Sequence, residues 1–411
     1  MGSDERFVIV GGGLAAAKLA EALRANDFPG SITLLAAEEW LPYERPPLSK
    51  EHMAGKKQLA EFTVHPRQWY RDHRVEVRVG TTVEGIDPAR KTVALPDGST
   101  LSYDKLALAT GSTPRTLSIP GADAPNVYTL RSIEDSDTLI EFFAGAAQRL
   151  VIIGAGWIGL EVAAAARAAD LAVTIVETAD QPLLAALGPE MGEVFAELHR
   201  SNGVDLRLGA QVTEITTTEG IGTRLASGVK LADDSVIEAE AVLIAVGARP
   251  NIDLAADAGL DVDGGVLVDE HLATSDPDIV AVGDIAEQRH PVLDRRIRVE
   301  HWANALNQPA VAAATMLGKE ASYDRLPYFF TDQYDLGMEY TGYAASGDYE
   351  RVVTRGDVGK REFVAFWLDA DNKVLAGMNV NVWDVTDRIK ELILSGEPVD
   401  PEALADTSKP L

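Results

Sequence analysis

The sequence predicts an α/β protein: two doubly wound parallel sheets followed by a smaller C-terminal α+β domain. Three observations carry this. A βαβ pattern stands at the N-terminus and returns about 143 residues later. In both copies a glycine-rich turn joins a short β-branched run to a segment of helical period. After about residue 325 the texture changes to aromatic-rich runs that alternate like antiparallel strands.

In chain order, Phe7–Val10 reads as the first strand, GGGLAA as a turn, AAAKLAEALRAN as a helix ending near Asn26, and ITLLAAE as the next strand. The second copy runs LVIIG, AGWIG, a helix through Ala169, then AVTIVE. Each copy implies a parallel pair with a right-handed crossover. Further apolar strands ending in turns lie in residues 104–115 (DKLALATGSTPR), 241–251 (AVLIAVGARPN) and 278–286 (DIVAVGDIA). In the last part, PYFFTDQYD, YTGYAA, REFVAFWL and KVLAGMNVNVW read as strands and DVTDRIKELILSG as a helix. The closing PEALADTSKPL reads as a loosely held tail. The expected domains are residues 1–112 with 246–325, residues 113–245, and residues 326–411.

Composition narrows the function. Asp and Glu number 64 against 37 Lys and Arg, a formal net charge of -27. Nucleic acid and anionic membranes both need a basic footprint, so neither is an expected partner. There is no cysteine, which removes disulfides, zinc-thiolate sites, cysteinyl iron–sulfur clusters and CxxC redox pairs; no metal site is expected. The N-terminus, MGSDERFVIV, has no basic region before an apolar core, so a cytoplasmic protein without a signal peptide is expected. The long apolar stretch Leu150–Val173 is interrupted by Glu161, Arg167, Asp170 and three glycines, which suits strand, turn and helix better than a membrane span.

The two glycine turns carry the first chemistry. Gly11-Gly12-Gly13-Leu14-Ala15-Ala16 is a GxGxxA. Gly11 makes the tight turn, Gly13 lets backbone approach a pyrophosphate, and Ala16 allows close helix–strand packing. Gly154-Ala155-Gly156-Trp157-Ile158-Gly159 is a full GxGxxG. Each lies between strand and helix, and each is followed by an acid at the end of the next strand, Glu38 and Glu177, placed to accept ribose hydroxyls. Two such folds imply two dinucleotides. Glu177 is followed by Thr178-Ala179-Asp180, with no arginine for a 2′-phosphate, which favours NADH over NADPH.

One further stretch, LPYERPPLSK (Leu41–Lys50), leaves a buried strand and places three prolines, an arginine and a lysine in ten residues. It is a stiff segment that holds two cations in place. Together with GGGLAA, LALATGSTPR, GAGWIGLE, VGARPN, VAVGD and VEHWANALNQ in that order, it resembles the FAD-dependent pyridine-nucleotide oxidoreductases, and among them the ferredoxin reductases that serve oxygenases. The resemblance spans nearly the whole chain. It implies a glutathione-reductase-like fold: an FAD-binding and an NADH-binding Rossmann-like domain plus a C-terminal interface domain.

The resemblance also implies roles. Arg45 would bind the phosphate–ribose region of FAD and Pro46 would press on its ring system. Lys50 would sit near flavin N5 and pair with Glu161; these two are the expected catalytic residues. Thr110 and Gly111 would mark the crossing towards the NADH fold, with Arg115 just beyond, and Gly247, Arg249 and Pro250 the return. Asp284 would bond a ribityl hydroxyl beside Gly283, and Glu300, His301, Trp302 and Ala303 would lie by the flavin. Val83, Ala109 and Arg131 complete the expected FAD contacts, and Val246 those of NADH. Hydride would pass from NADH to FAD, and electrons singly to a [2Fe–2S] ferredoxin feeding a cytochrome monooxygenase or ring-hydroxylating dioxygenase. Tyr328 and Phe330 would contact the ferredoxin, and the basic run of Arg289, Arg295, Arg296 and Arg298 would offset repulsion between two acidic proteins. The oligomer would be a monomer or weak homodimer. The competing expectations are a reductase of rubredoxin, quinone or another small acceptor, and an apoptosis-inducing-factor-like protein that senses NADH.

Overall fold

The computed structural model describes residues 4–146, 148–219 and 222–411. The chain divides into two compact units. The first comprises the chain up to Pro46, Gln58–Thr113 and Arg249–Pro327, and the second Pro47–Lys57, Pro114–Ala248 and Tyr328–Leu411.

The first unit is built on a parallel sheet in the order Ile279–Ala281, Lys105–Leu108, Arg6–Val10, Ser31–Leu35, Val75–Arg78. The register pairs Val8 with both Thr33 and Leu106. Its central strands are apolar without alternation because both faces are covered, the signature of a buried parallel sheet. Helix Leu14–Ala25 buries Ala16, Ala17, Leu19, Ala20 and Leu23 and packs against helix Trp302–Met316. Small residues on its buried face let the backbones come close. The same unit holds a three-stranded antiparallel sheet, Gly85–Asp87, Thr92–Ala94 and Thr100–Ser102, and a further small sheet in the order Val266–Val268, Ala286–His290, Arg295–Ile297.

The second unit repeats the plan. Its parallel sheet runs Asp205–Arg207, Ala172–Val176, Arg149–Ile153, Ala241–Ile244, Val127–Tyr128. Helix Trp157–Ala168 lies on it, and Val212–Glu219, Arg224–Leu231 and Val236–Glu238 form an antiparallel sheet beside it. The same unit holds an antiparallel sheet in the order Tyr328–Gln333, Leu336–Gly342, Val374–Val380, Glu362–Leu368, Arg351–Asp357. Phe363, Phe366 and Trp367 are fully buried there, and the Trp367 indole N–H donates to the Leu187 carbonyl at 3.2 Å. The α/β architecture with a C-terminal sheet is the one the sequence predicts. Among the described residues no helix is long and apolar enough to cross a membrane.

The tail differs from expectation. It is not loose: Asp400 caps a short helix, Pro401–Ala405, by accepting from the Glu402 amide at 3.0 Å, and Leu404 is buried against Val364, Phe366 and Ile389. Arg355 donates to the carbonyls of Leu404 at 3.3 Å, of Asp406 at 2.5 Å and of Lys409, while Arg388 donates to that of Leu411 at 3.0 Å. The polar composition hid this because the fastening comes from arginines on other elements. Replacing Arg355 by Ala is expected to cost about 2 kcal/mol, the usual scale for bonds from a charged donor, and to release the tail. Limited proteolysis beside a thermal melt checks it: tail cleavage at the wild-type rate would contradict the fastening role.

Candidate active site

In the first unit the turn after Arg6–Val10 is dictated by steric room. Gly11 has φ +136°, and a Cβ there would lie 2.1 Å from the Ala109 carbonyl oxygen, so any side chain would block the turn. At Gly13 the same test finds open space within 4 Å. Gly13 is the N-cap of helix Leu14–Ala25; no side chain caps that helix and its first turn has no acid. Its amides therefore face an open region with the positive end of the helix dipole, a setting that fits a pyrophosphate. Leu14, Ala15 and Ala16 are buried behind it, and Val83, Ala109 and Ala303 are buried too.

Glu38 and Arg45, read from separate motifs, meet. Arg45 Nη2 donates to Glu38 Oε1 at 2.6 Å, and the Tyr43 hydroxyl donates to Glu38 Oε2 at 2.5 Å. Burial works against the Arg45 charge, but Glu38, Tyr43 and Asp284 outweigh it and raise its pKa. Tyr43 lies inside the quoted LPYERPP stretch, yet only the fold shows that it braces both charges.

Around Asp284, Gly283 takes φ +76° and its N–H donates to Gln308 Oε1 at 2.7 Å. Ser112 Oγ donates to Asp284 Oδ2 at 2.7 Å. Arg298 donates to the Asp284 carbonyl at 3.1 Å and to Glu300 at 2.7 Å, so its guanidinium links the Asp284 turn to Glu300. His301 is drawn down to about 4 by desolvation, with Asp284 opposing, and is neutral at neutral pH. Trp302 Nε1 donates to Glu44 at 3.0 Å, which fixes the indole that opens helix Trp302–Met316. Thr110 donates to the Asn251 carbonyl at 2.7 Å, and the Asn251 amide donates to the Gly111 carbonyl at 2.9 Å. Glu44, Ser112, Asn251 and Gln308 all support this site. Their spacing in sequence carries no signal of it.

Arg295 and Arg296 are exposed on strand Arg295–Ile297, which pairs with Ala286–His290. Arg296 also reaches the carbonyls of Val268 and Glu287, each at 3.2 Å.

The second unit has its own amide end. Gly154 has φ +107° and a Cβ there would lie 2.4 Å from the Ala245 carbonyl oxygen. A Cβ on Gly159 would lie 2.2 Å from the Gly154 oxygen, the close helix–turn approach that the third glycine of the motif serves. Gly156 faces open space, and helix Trp157–Ala168 again has no side-chain cap and no acid in its first turn. This also fits a diphosphate. Glu177 is held at the rim: its oxygens accept from the amides of Ala155 at 2.8 Å and Ala179 at 2.9 Å. Trp157 packs edge-on against Phe195 and Phe329, while Ile158 is 41% exposed. Gly247, at φ +98°, lies against the Arg115 side chain, and the Arg115 amide donates to its carbonyl at 2.9 Å. Arg131 precedes helix Ile133–Ala144, its amide donating to Asp135 at 2.8 Å.

Lys50 and Glu161 come together as the sequence reading expected. Lys50 Nζ lies 2.7 Å from Glu161 Oε1, with side chains 11% and 4% exposed. The prolines explain how. Pro46–Ser49 forms a 3-10 turn, the Lys50 and His52 amides close back on the Pro47 carbonyl, and Ser136 on helix Ile133–Ala144 donates to the Leu48 carbonyl at 2.7 Å. Ser49 then donates to Glu161 Oε2 at 2.5 Å. Lys50 Nζ also stands 5.7 Å from the centre of the Phe330 ring. Asp332, on the same strand as Phe330, is pushed above the ordinary carboxylate range, mainly by burial. Tyr328 is half-buried, with its hydroxyl donated to Glu339 at 2.6 Å.

Comparison with known proteins agrees with this geometry. The family model described as pyridine nucleotide-disulphide oxidoreductase matches residues 5–308, and one described as reductase C-terminal matches residues 328–411. Putidaredoxin reductase of Pseudomonas putida is 37% identical, covering 100% of this chain and 97% of its own. The ferredoxin–NAD(+) reductase component of the anthranilate 1,2-dioxygenase system of Burkholderia cepacia is also 37% identical, covering 98% of both chains. The reductase in the crystal structure of the covalent putidaredoxin reductase–putidaredoxin complex superposes with a TM-score of 0.93 at 36% identity, covering 99% of this chain and 97% of that one. Two glycine turns with open helix starts, the extra C-terminal sheet and full-length matches of this kind converge: the chain belongs to the pyridine nucleotide-disulphide oxidoreductase family, with a reductase C-terminal domain.

Proposed function

We infer that this chain is an NADH-dependent ferredoxin reductase. Residues 1–112 with 246–325 bind FAD, residues 113–245 bind NADH, and residues 326–411 form an interface domain. The observation that carries the reading is the buried Lys50–Glu161 pair beside a helix start open to a dinucleotide. FAD, when bound, supplies the conversion of a hydride into two single electrons. The residues supply binding, orientation and charge. The Gly11–Ala16 and Gly154–Gly159 turns hold diphosphates by their amides; Glu38 and Glu177 take ribose hydroxyls, and Arg45 adds a fixed guanidinium for phosphate. Lys50 stabilises the negative charge that reduction brings, and Glu161 keeps it aimed. The chain has no cysteine, so no thiol of its own takes part in the transfer.

The acceptor is a [2Fe–2S] ferredoxin of an oxygenase system. In support, the Burkholderia cepacia relative is the ferredoxin–NAD(+) reductase component of a dioxygenase system, and the solved neighbour is a putidaredoxin reductase in covalent complex with putidaredoxin. Arg295, Arg296, Tyr328 and Phe330 are the proposed contacts. The protein works in the cytoplasm as a monomer or weak homodimer. The direct test is anaerobic addition of NADH to the yellow protein, then of an oxidised [2Fe–2S] ferredoxin. Bleaching followed by prompt recovery of colour is expected. A slowly formed charge-transfer complex that ferredoxin does not discharge would contradict the reading.

Lys50→Gln is expected to bind FAD normally but to slow its reduction by NADH about a hundredfold, the scale of losing one well-placed donor, as read by stopped-flow bleaching. Glu177→Ala removes a charge that repels a 2′-phosphate. It should narrow the preference for NADH over NADPH roughly tenfold in kcat/KM. Changing Arg295 and Arg296 together to Glu should cut ferredoxin turnover about tenfold and spare ferricyanide reduction. Equal loss with both acceptors would remove these arginines from the docking site.

A further inference from the structure

Glu161 has a partner that its own motif does not reveal. Thr331, on strand Tyr328–Gln333, donates its hydroxyl to Glu161 Oε1 at 2.6 Å, the same oxygen that Lys50 approaches. Behind Thr331 the contacts continue into the core. Gln333 Nε2 lies 3.2 Å from Thr331 Oγ1, His199 Nε2 lies 2.8 Å from Gln333 Oε1, and the Tyr334 hydroxyl lies 3.4 Å from His199 Nδ1. Thr331, Gln333 and His199 are all 1% exposed or less.

The direction of each bond follows from the chemistry at one end. A carboxylate only accepts, so the Thr331 hydroxyl must donate to Glu161. Its oxygen then offers lone pairs to Gln333, and of that side chain only the amide NH2 can answer. The Gln333 oxygen is left for His199, which must present its N–H at Nε2. Nδ1 then presents a lone pair and accepts a hydrogen bond from the Tyr334 hydroxyl. Burial holds His199 down to about 4, against its bond to Gln333, so the ring is neutral as this tautomer requires. Every bond in the chain points towards Glu161.

We propose that Thr331, held in place by Gln333 and His199, is a positioning residue for the reductase reaction: its hydroxyl shares Glu161 Oε1 with Lys50 and so sets how much of the lysine's charge is left for the reduced redox group. This rests on the roles of Lys50 and Glu161 given above. Packing does not explain a hydroxyl here. Valine has the same shape, and a buried hydroxyl is unfavourable unless it is bonded. Without it, Oε1 keeps Lys50 alone. The carboxylate then neutralises the ammonium more fully, and Lys50 stabilises less negative charge elsewhere.

The test uses the FAD-loaded full chain, as wild type, Thr331→Val and Thr331→Ser. Three readouts are taken: the FAD midpoint potential by spectroelectrochemistry, the rate of anaerobic bleaching by NADH, and the imidazole 15N shifts of His199 at neutral pH. The valine variant is expected to keep its FAD content, to melt at a lower temperature because Glu161 loses a donor, to have a lower potential, and to bleach about tenfold more slowly, the effect of roughly 1.4 kcal/mol in the barrier. Serine is expected to restore both potential and rate. Wild-type His199 is expected to be the neutral Nε2–H tautomer.

A valine variant with wild-type potential and rate would overturn the proposal, as would serine failing where valine fails. A His199 protonated at Nδ1 would reverse the chain and overturn it as well, and that measurement on the wild type stands even if the valine variant does not fold. Wild-type protein that NADH does not bleach would instead defeat the reductase reading; a reductive titration without NADH would still judge the positioning role.

Discussion

Burying the carboxylate of Glu161 is the constraint around which the second unit is arranged. Taking a charge out of water costs several kcal/mol unless its lone pairs are answered. Here three donors answer them, Lys50, Ser49 and Thr331. They arrive from two stretches far apart in the chain, a proline-stiffened turn and the first strand of the C-terminal sheet. Helix Trp157–Ala168 supplies the acid itself, one turn beyond the glycines that open it. The element that presents amides to a dinucleotide therefore also carries the group that orients the nearby cation.

A second constraint is closeness of backbone. Gly11 and Gly154 each pass a strand-end carbonyl at a distance that no Cβ tolerates. These contacts seat the two helix starts against their sheets, and the residue two positions on is left facing open space in both. Room for a ligand and lack of room for a side chain are thus set by one turn. This is why the motif requires glycine at some positions and merely small residues at others, such as Ala16.

Much of this was legible in the sequence, for identifiable reasons. Local order shows in periodicity, so the two βαβ copies and the antiparallel character of the C-terminal strands could be read directly. Glycine turns and the acids that follow them lie close in sequence, so Glu38 and Glu177 could be placed. The Lys50–Glu161 pairing came from resemblance rather than spacing, because its partners are 111 positions apart and no local pattern links them. The supporting polar groups were not legible at all. Tyr43, Glu44, Ser112, Asn251 and Gln308 look like ordinary loop or helix residues until the fold brings them to their partners. The tail misled for the related reason that its anchors, Arg355 and Arg388, lie outside it.

The segment Pro47–Lys57 has a consequence for modularity. It belongs to the second compact unit, yet it is encoded between two stretches of the first. A polypeptide beginning at Pro114 would contain the glycine turn, the helix and Glu161, but neither Lys50 nor Ser49. Its buried carboxylate would keep Thr331 and lose its counter-cation, a situation that costs several kcal/mol. The dinucleotide fold of residues 114–248 is therefore not a cassette that recombination could move intact. Exchange between relatives has to carry the short Pro47–Lys57 excursion along with it, or replace Glu161 at the same time.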